Sequence, residues 1–335
     1  MKSKISIFIA VLMLLSIVLI GCSSDKTGSE SGSNSAEKSF LSIGTGGTGG
    51  AWYGIMAAAG TVLNQNSEIV NLDVQATGGS VENMKLLKNK TAQLGAATPD
   101  VAYYAYEGGR EFDEANPNLR AIMAGNNMYE YIMVRADSDI HSFNDLKDKI
   151  ISIGAPGSGT AITGEALLKS LNVTPKEIKN LAHAEASAAL QEGSIDGVMA
   201  LSGIPFPAAT ELTTITDVRF VPLSDEEISK VIEDNPYWFK GILPKDTYKG
   251  QEEDVPGIGV GTVVLTDKDT PDDVIYNLLK TLLKDNKEDW VKGHNLAEEF
   301  SIDMMKQSIE AGTILMPIHP GAKKFYEEEG IEIKE

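Results

Sequence analysis

The sequence predicts an α/β chain of two similar lobes, each a mainly parallel sheet flanked by helices, joined by a hinge. Three observations predict it. A strand, glycine-rich loop and helix that begin near residue 40 recur near residue 150. Each is followed by a second and a third strand in the same order, which is internal repetition. The strands are runs of continuous apolar character, suited to parallel sheets covered on both faces.

The first residues carry a compartment signal. Lys2 and Lys4 precede an almost purely apolar stretch over residues 5–20, the pattern of a secretory leader spanning residues 1–21. Leu19-Ile20-Gly21-Cys22 then sets a small residue before the single cysteine of the chain. This resembles the lipobox of bacterial lipoproteins, which implies that Cys22 becomes a lipid-modified N-terminus. A lone cysteine has no disulfide partner, and two or more acyl chains hold a protein stably on a membrane. The predicted location is therefore extracytoplasmic, anchored to the membrane by lipid. Residues 22–39 carry no large apolar side chain and are dominated by serine, glycine and charge, which predicts a flexible tether.

The first repeat reads Phe40-Leu41-Ser42-Ile43-Gly44, then Thr45-Gly46-Gly47-Thr48-Gly49-Gly50, then a helix over residues 51–63. The second reads Ile150-Ile151-Ser152-Ile153-Gly154, then Ala155-Pro156-Gly157-Ser158-Gly159, then a helix over residues 160–171. Residues 70–76 and 178–183 read as the second strands, each leading into another helix. Residues 87–97 parallel 190–200 and end in the third strands. Each half is thus β-α-β-α-β. The C-terminal third adds a β-branched run at 259–265 and a helix start, with Thr270 as cap, Pro271 at the first helical position and Asp272 and Asp273 in the first turn. Asp267, Asp269 and Asp272 lack the glycine of a calcium loop, and Pro271 occupies a ligand position.

In open parallel sheets, ligands lie beyond the carboxyl ends of the strands, where helix N-termini present unpaired amides. Both glycine-rich turns sit there. Candidate donors are the amides of Gly46, Gly159 and Thr160 with the hydroxyls of Ser80 and Ser158. Further candidates are Gly79, which precedes Ser80, and Asp100, which follows the third strand. The turn Leu201-Ser202-Gly203-Ile204-Pro205 ends the third strand of the second half, and Trp52 and Tyr53 offer an aromatic wall. Ser80 and Asp100 also suit plain helix capping. Arg110, Arg120, Arg135 and Arg219 all lie outside these loops, so a carboxylate would rest on main-chain amides.

Several function classes are disfavoured. Residues 44–49 fit the dinucleotide pattern G-x-G-x-x-G, but export, a related turn in the second half and the lack of a following lysine argue against a nucleotide, and no cofactor is expected. The four histidines are scattered and no H-E-x-x-H, G-x-S-x-G or C-x-x-C occurs, which leaves catalysis or a metal without support. A formal charge of −19 opposes nucleic acid as a partner. A secreted enzyme and a ligand-sensing subunit for a membrane kinase are the alternatives to a solute receptor.

The ordered motifs at 43–50, 77–83, Asp100 onward, 134–138, 154–160, 254–256 and 319–322 resemble the TAXI group of solute receptors for TRAP transporters. The resemblance implies a two-lobed periplasmic-binding fold of the second type, with lobes at 40–130 plus 256–335 and at 131–255. It implies binding of glutamate, glutamine or a dicarboxylate and delivery to a TRAP membrane subunit driven by a sodium gradient. The family's binding positions correspond to Thr45, Gly46, Tyr53, Ser80, Asp100, Ser158, Gly159, Thr160, Gly203, Ile204 and Pro205. Thr98-Pro99 stands where relatives often carry a polar pair, and the arginine clamp of the other TRAP receptor group is missing.

Overall fold

The alternating pattern folds into two matching units in the computed structural model, which describes residues 38–333. The predicted leader, Cys22 and the tether up to residue 37 lie outside the described residues. The first unit runs β1 (Ser39–Gly44), α1 (Ala51–Asn66), β2 (Val70–Gln75), α2 (Ser80–Lys88) and β3 (Leu94–Ala97). α3 (Pro99–Glu107) then leads into the long β4 (Leu119–Arg135). The second unit runs β5 (Ile150–Ser152), α4 (Gly159–Ser170), β6 (Glu177–Lys179), α5 (His183–Glu192) and β7 (Gly197–Ser202).

The remainder closes both units. It comprises α6 (Pro207–Ile215), β8 (Val218–Phe220), α7 (Asp225–Asp234), β9 (Trp238–Leu243), β10 (Val255–Asp267), α8 (Asp272–Lys280), α9 (Lys287–Gly293), α10 (Ile302–Glu310) and α11 (Pro320–Glu328). No described helix is long and apolar enough to cross a membrane.

Two boundaries differ from the sequence pattern, each for a local reason. β6 stops at Lys179 and His183 opens a helix, because the Glu185 carboxylate accepts the Ala182 amide at 3.2 Å and caps α5. Pro271 rather than Thr270 stands at the N-cap of α8. The Thr270 hydroxyl instead pairs with that of Thr266 at 2.8 Å.

The sheet order is β2-β1-β3-β10-β4-β7-β5-β6, with β9 on β10 and β8 on β4. β1 pairs in parallel with β2 and β3, as β5 does with β6 and β7. Between these parallel groups run β4 and β10, antiparallel to each other and to their flanking partners. The C-terminal part of β10 pairs with β3, and its N-terminal part with β9. Both strands are therefore shared between the two units, and the expected lobe boundaries at 130/131 and 255/256 fall inside them. Where the units meet, the β10–β4 register shifts between Val260, opposite Met128, and Thr262, opposite Gly125. An irregularity of this kind bends a strand and re-aims its side chains.

Two apolar cores hold the units, the second of which also takes in Trp52 and Ala96 of the first unit. Ile43, Ile55, Leu63, Leu278, Trp290 and Phe300 belong to one, while Ile153, Leu167, Met199, Ile228 and Trp238 belong to the other. Burying each such side chain contributes on the order of 1.5–3 kcal/mol. The motif His319-Pro320-Gly321-Ala322 is a helix cap. His319 Nδ1 accepts the Gly321 amide at 3.1 Å, while Nε2 lies 2.9 Å from the Thr270 carbonyl and ties α11 to the turn before α8.

Gly125 shows how tightly the shared strands pack: a Cβ there would lie 2.0 Å from Phe300 Cε1. Phe300 is fully buried and cannot swing aside. Gly125→Ala is expected to destabilise the protein by about 1–3 kcal/mol, read as a lower denaturation midpoint in urea at unchanged slope.

Candidate functional site

Four helices begin at the rim of one cavity of about 140 Å³. Gly50, Gly79, Ser158 and Ala182 are the N-cap residues of α1, α2, α4 and α5, and all four line it. At α1, α2 and α5 the N-cap residue itself makes no side-chain bond to its helix. At α4 it does, where the Ser158 hydroxyl accepts the Ala161 amide at 3.0 Å. Each helix N-terminus carries the equivalent of about half a positive charge and offers unpaired amides to a negative group. Among the described residues, no Asp, Glu, Lys or Arg lines the cavity.

The repeat explains the convergence. α1 and α2 follow the first and second strands of one unit, and α4 and α5 follow the first and second strands of the other. All four loops therefore leave the carboxyl ends of parallel strands. In the first unit, buried Asn83 fixes them: its Nδ2 donates to the carbonyls of Thr45 at 2.6 Å and Ala96 at 2.7 Å. Its Oδ1 accepts the Thr77 hydroxyl at 2.7 Å, and Thr77 Oγ1 accepts the Gly79 amide at 3.1 Å. In the second unit, the Thr160 hydroxyl accepts the Leu201 amide at 3.1 Å, and Asn180 donates to the Gly154 carbonyl at 3.2 Å.

The loops of the two units touch. The Val81 amide donates to the Gly157 carbonyl at 3.1 Å, and the Ala51 amide donates to the Ser202 hydroxyl at 3.4 Å. Gly79 adopts φ +113°, and a Cβ there would lie 3.3 Å from Ser158 Cα. Glycine alone suits both demands.

Of the residues expected to bind, Gly46, Gly79, Ser158, Gly159 and Thr160 line the cavity. Thr45, Tyr53, Ser80, Asp100, Gly203, Ile204 and Pro205 are not among its lining residues. Thr45 is buried, with its hydroxyl donating to the Gln75 carbonyl at 2.8 Å. Ser80 is buried behind the rim, where its hydroxyl accepts the Thr98 amide at 3.3 Å. Asp100 is buried in the first turn of α3, and its Oδ1 has no hydrogen-bond partner among the described residues. Tyr53 is half-buried on α1. The Gly203 carbonyl accepts the Tyr131 hydroxyl at 3.0 Å, beside a cis Ile204–Pro205 bond. That turn packs on the aromatic group of Tyr131, Phe206 and Tyr248.

Sequence reasoning left out His183, Ala182, Met128, Leu201, Ser202 and Thr77 as binding residues, all of which line the cavity. The repeat held a signal for His183: it opens the second helix of its unit, as Ser80 does in the other. Its ring meets Phe206 edge-on, with centroids 4.9 Å apart, and would touch a Cβ placed on Gly50. Burial lowers its pKa to about 4, so it is neutral near pH 7 and has one ring nitrogen to donate. Trp52, considered as a wall, lines the cavity and donates its indole N–H to Thr262 Oγ1 at 3.0 Å.

The site can therefore hold a small polar molecule by main-chain amides, two or three hydroxyls and an imidazole, against Trp52, Met128 and Leu201. Its volume lies below the roughly 300–1,000 Å³ of sites for drug-sized ligands. Solved structures share the architecture at low identity. The periplasmic binding protein BugD matches with a TM-score of 0.55 at 15% identity, covering 88% of this chain and 99% of that one. A periplasmic transporter matches with a TM-score of 0.54 at 14% identity, covering 88% and 98%. A ligand-binding component of an ABC-type import system from Staphylococcus aureus matches with a TM-score of 0.50 at 15% identity, covering 88% and 100%. These likenesses establish the two-lobed fold of binding proteins. The model of the NMT1-like family matches residues 43–330, nearly all of the described chain, and the protein belongs to that family.

Proposed function

We propose that this protein is an extracytoplasmic solute receptor that closes two lobes on a small anionic organic solute and passes it to a membrane permease. The observation that carries the reading is the convergence of four helix N-caps on one cavity that no acidic side chain lines among the described residues. Charge-assisted hydrogen bonds contribute about 1.5–3 kcal/mol each, so four of them reach the roughly −8 kcal/mol of a micromolar complex. The two periplasmic neighbours support a receptor role by fold. The motif resemblance to TAXI receptors supports glutamate, glutamine or a dicarboxylate as solute, a TRAP-type permease as partner and Cys22 as the lipid anchor.

In this reading the lobes are residues 40–130 with 256–335, and 131–255, and they move about the bend in β4 and β10. Gly46, Gly79, Ser158, Gly159 and Thr160 hold the solute. Thr45, Ser80, Asp100 and the turn at Gly203, Ile204 and Pro205 shape the loops from behind, and Tyr53 stands beside Trp52. The solute leaves chemically unchanged, because the role is capture and not turnover.

A thermal-shift screen of amino acids and carboxylates is expected to raise the melting temperature with solute concentration, with the solute recovered intact. Loss of the solute to a product would instead mark an enzyme. Ser158→Asp keeps an N-cap oxygen for α4 but sets a carboxylate in the cavity. At about 4 Å and an effective dielectric near 20, like charges repel by about 4 kcal/mol, so affinity for an anion is expected to fall at least a hundredfold by calorimetry. Unchanged affinity would remove the loop at 158–160 from the site.

His183 adds a pH signature to the solute-free protein. Its folded pKa of about 4 lies below its ordinary value of 6.5, so the unfolded chain binds more protons between those values. Its contribution to stability is complete above about pH 6.5 and is lost as pH falls toward 4. His183→Gln is expected to show a smaller drop in melting temperature between pH 7 and pH 5 than the parent protein.

A further inference from the structure

A second cavity of about 240 Å³ is lined among others by Pro99, Tyr237, Gly261, Thr262, Met304 and Gln307. One contact connects the walls of the two. Trp52 lines the first cavity and Thr262 the second, and the indole N–H of Trp52 donates to Thr262 Oγ1 at 3.0 Å. The Thr262 hydroxyl then donates to Asn126 Oδ1 at 3.3 Å. Trp52 is 8% exposed, Thr262 3% and Asn126 0%.

The chain of bonds has only one polarity. An indole N–H can only donate, a hydroxyl donates once while accepting, and the amide oxygen accepts. Each bond therefore holds the next in orientation, and loss of the Thr262 oxygen would leave a buried N–H without a partner. The chain also sits at the bend: Thr262 and Asn126 flank the register shift between β10 and β4. Trp52 belongs to the first turn of α1, whose N-cap Gly50 lines the solute cavity. The indole thus lines the solute cavity and is held by Thr262, a residue that lines the second.

We propose that Trp52, latched by Thr262 and Asn126, is the partition that sets the length of solute the receptor accepts, and that removing it opens the second cavity as an extension for longer solutes. The inference rests on the solute-receptor reading above. It assigns length discrimination to an indole instead of to the glycine loops, which bind the charged end.

The test uses linear α,ω-dicarboxylates of four to eight carbons, titrated into the full-length chain and its variants by calorimetry. The parent protein is expected to prefer the four- and five-carbon acids. In Trp52→Ala the ratio of affinities for eight- over five-carbon acids is expected to rise at least tenfold. Thr262→Val, which keeps the shape but removes the latch, is expected to shift the ratio the same way, and Thr262→Ser to restore it. An unchanged ratio in a folded Trp52→Ala protein overturns the proposal. Should the parent bind no dicarboxylate, the anionic reading fails by itself, and the partition is then judged on a crystal structure of Trp52→Ala. One continuous cavity from Gly46 to Met304 sustains it, and collapse of neighbouring side chains into the space overturns it.

Discussion

Four helix starts that share one small cavity are the constraint on which the rest of this structure depends. A buried donor left unsatisfied costs about 1–3 kcal/mol. In the proposed receptor, a polar occupant stabilises the arrangement in which Val81 bonds Gly157 and Ala51 bonds Ser202. Glu82 and Glu185 accept the rim amides of Gly78 and Ala182 from outside the described lining, and the neutral imidazole of His183 adds a donor without adding a fixed charge. The overall charge of −19 opposes anions only weakly at this site, since physiological salt screens it beyond about 8 Å.

The loops keep their geometry because polar side chains fix them from behind, Asn83 and Thr160 among them buried. Asn83 bonds two carbonyls and a hydroxyl from three different segments of its unit, so the loops after β1, β2 and β3 form one rigid piece. Thr160 and Asn180 do the equivalent work in the other unit with fewer bonds. Between the two pieces run β4 and β10, continuous through both, with their register shift where the units meet. Rigid rims on a shared, bent pair of strands suit hinge motion, in which a few residues absorb the change. The Trp52–Thr262–Asn126 chain lies at that bend, which places the depth of the cavity under the control of the same strands.

Much of this was legible in the residue order. The repeated strand, glycine turn and helix predicted both β-α-β-α-β units, because apolar runs and helix starts are decided by neighbours a few positions apart. The loops at 46 and 159 were recognisable as a pair for the same reason. Other features had two readings in the local pattern. Residues 178–183 look like a strand by apolar content, yet the Glu185 cap turns His183 into a helix start and a cavity residue. Ser80 and Asp100 read as ligand groups or as helix caps, and both are buried.

From the sequence alone come the class of fold, its internal repeat, the acidic charge, the lipobox-like stretch before Cys22 and the positions of the glycine turns, all properties of short windows or of composition. Only the tertiary structure decided that four helix starts share one cavity, that His183 and Trp52 line it, and that Trp52 reaches Thr262, 210 positions away in the chain. The reason is physical: hydrogen bonds within a turn or a helix are set by nearby residues, whereas the neighbours across a cavity are set by how two cores pack on the strands they share.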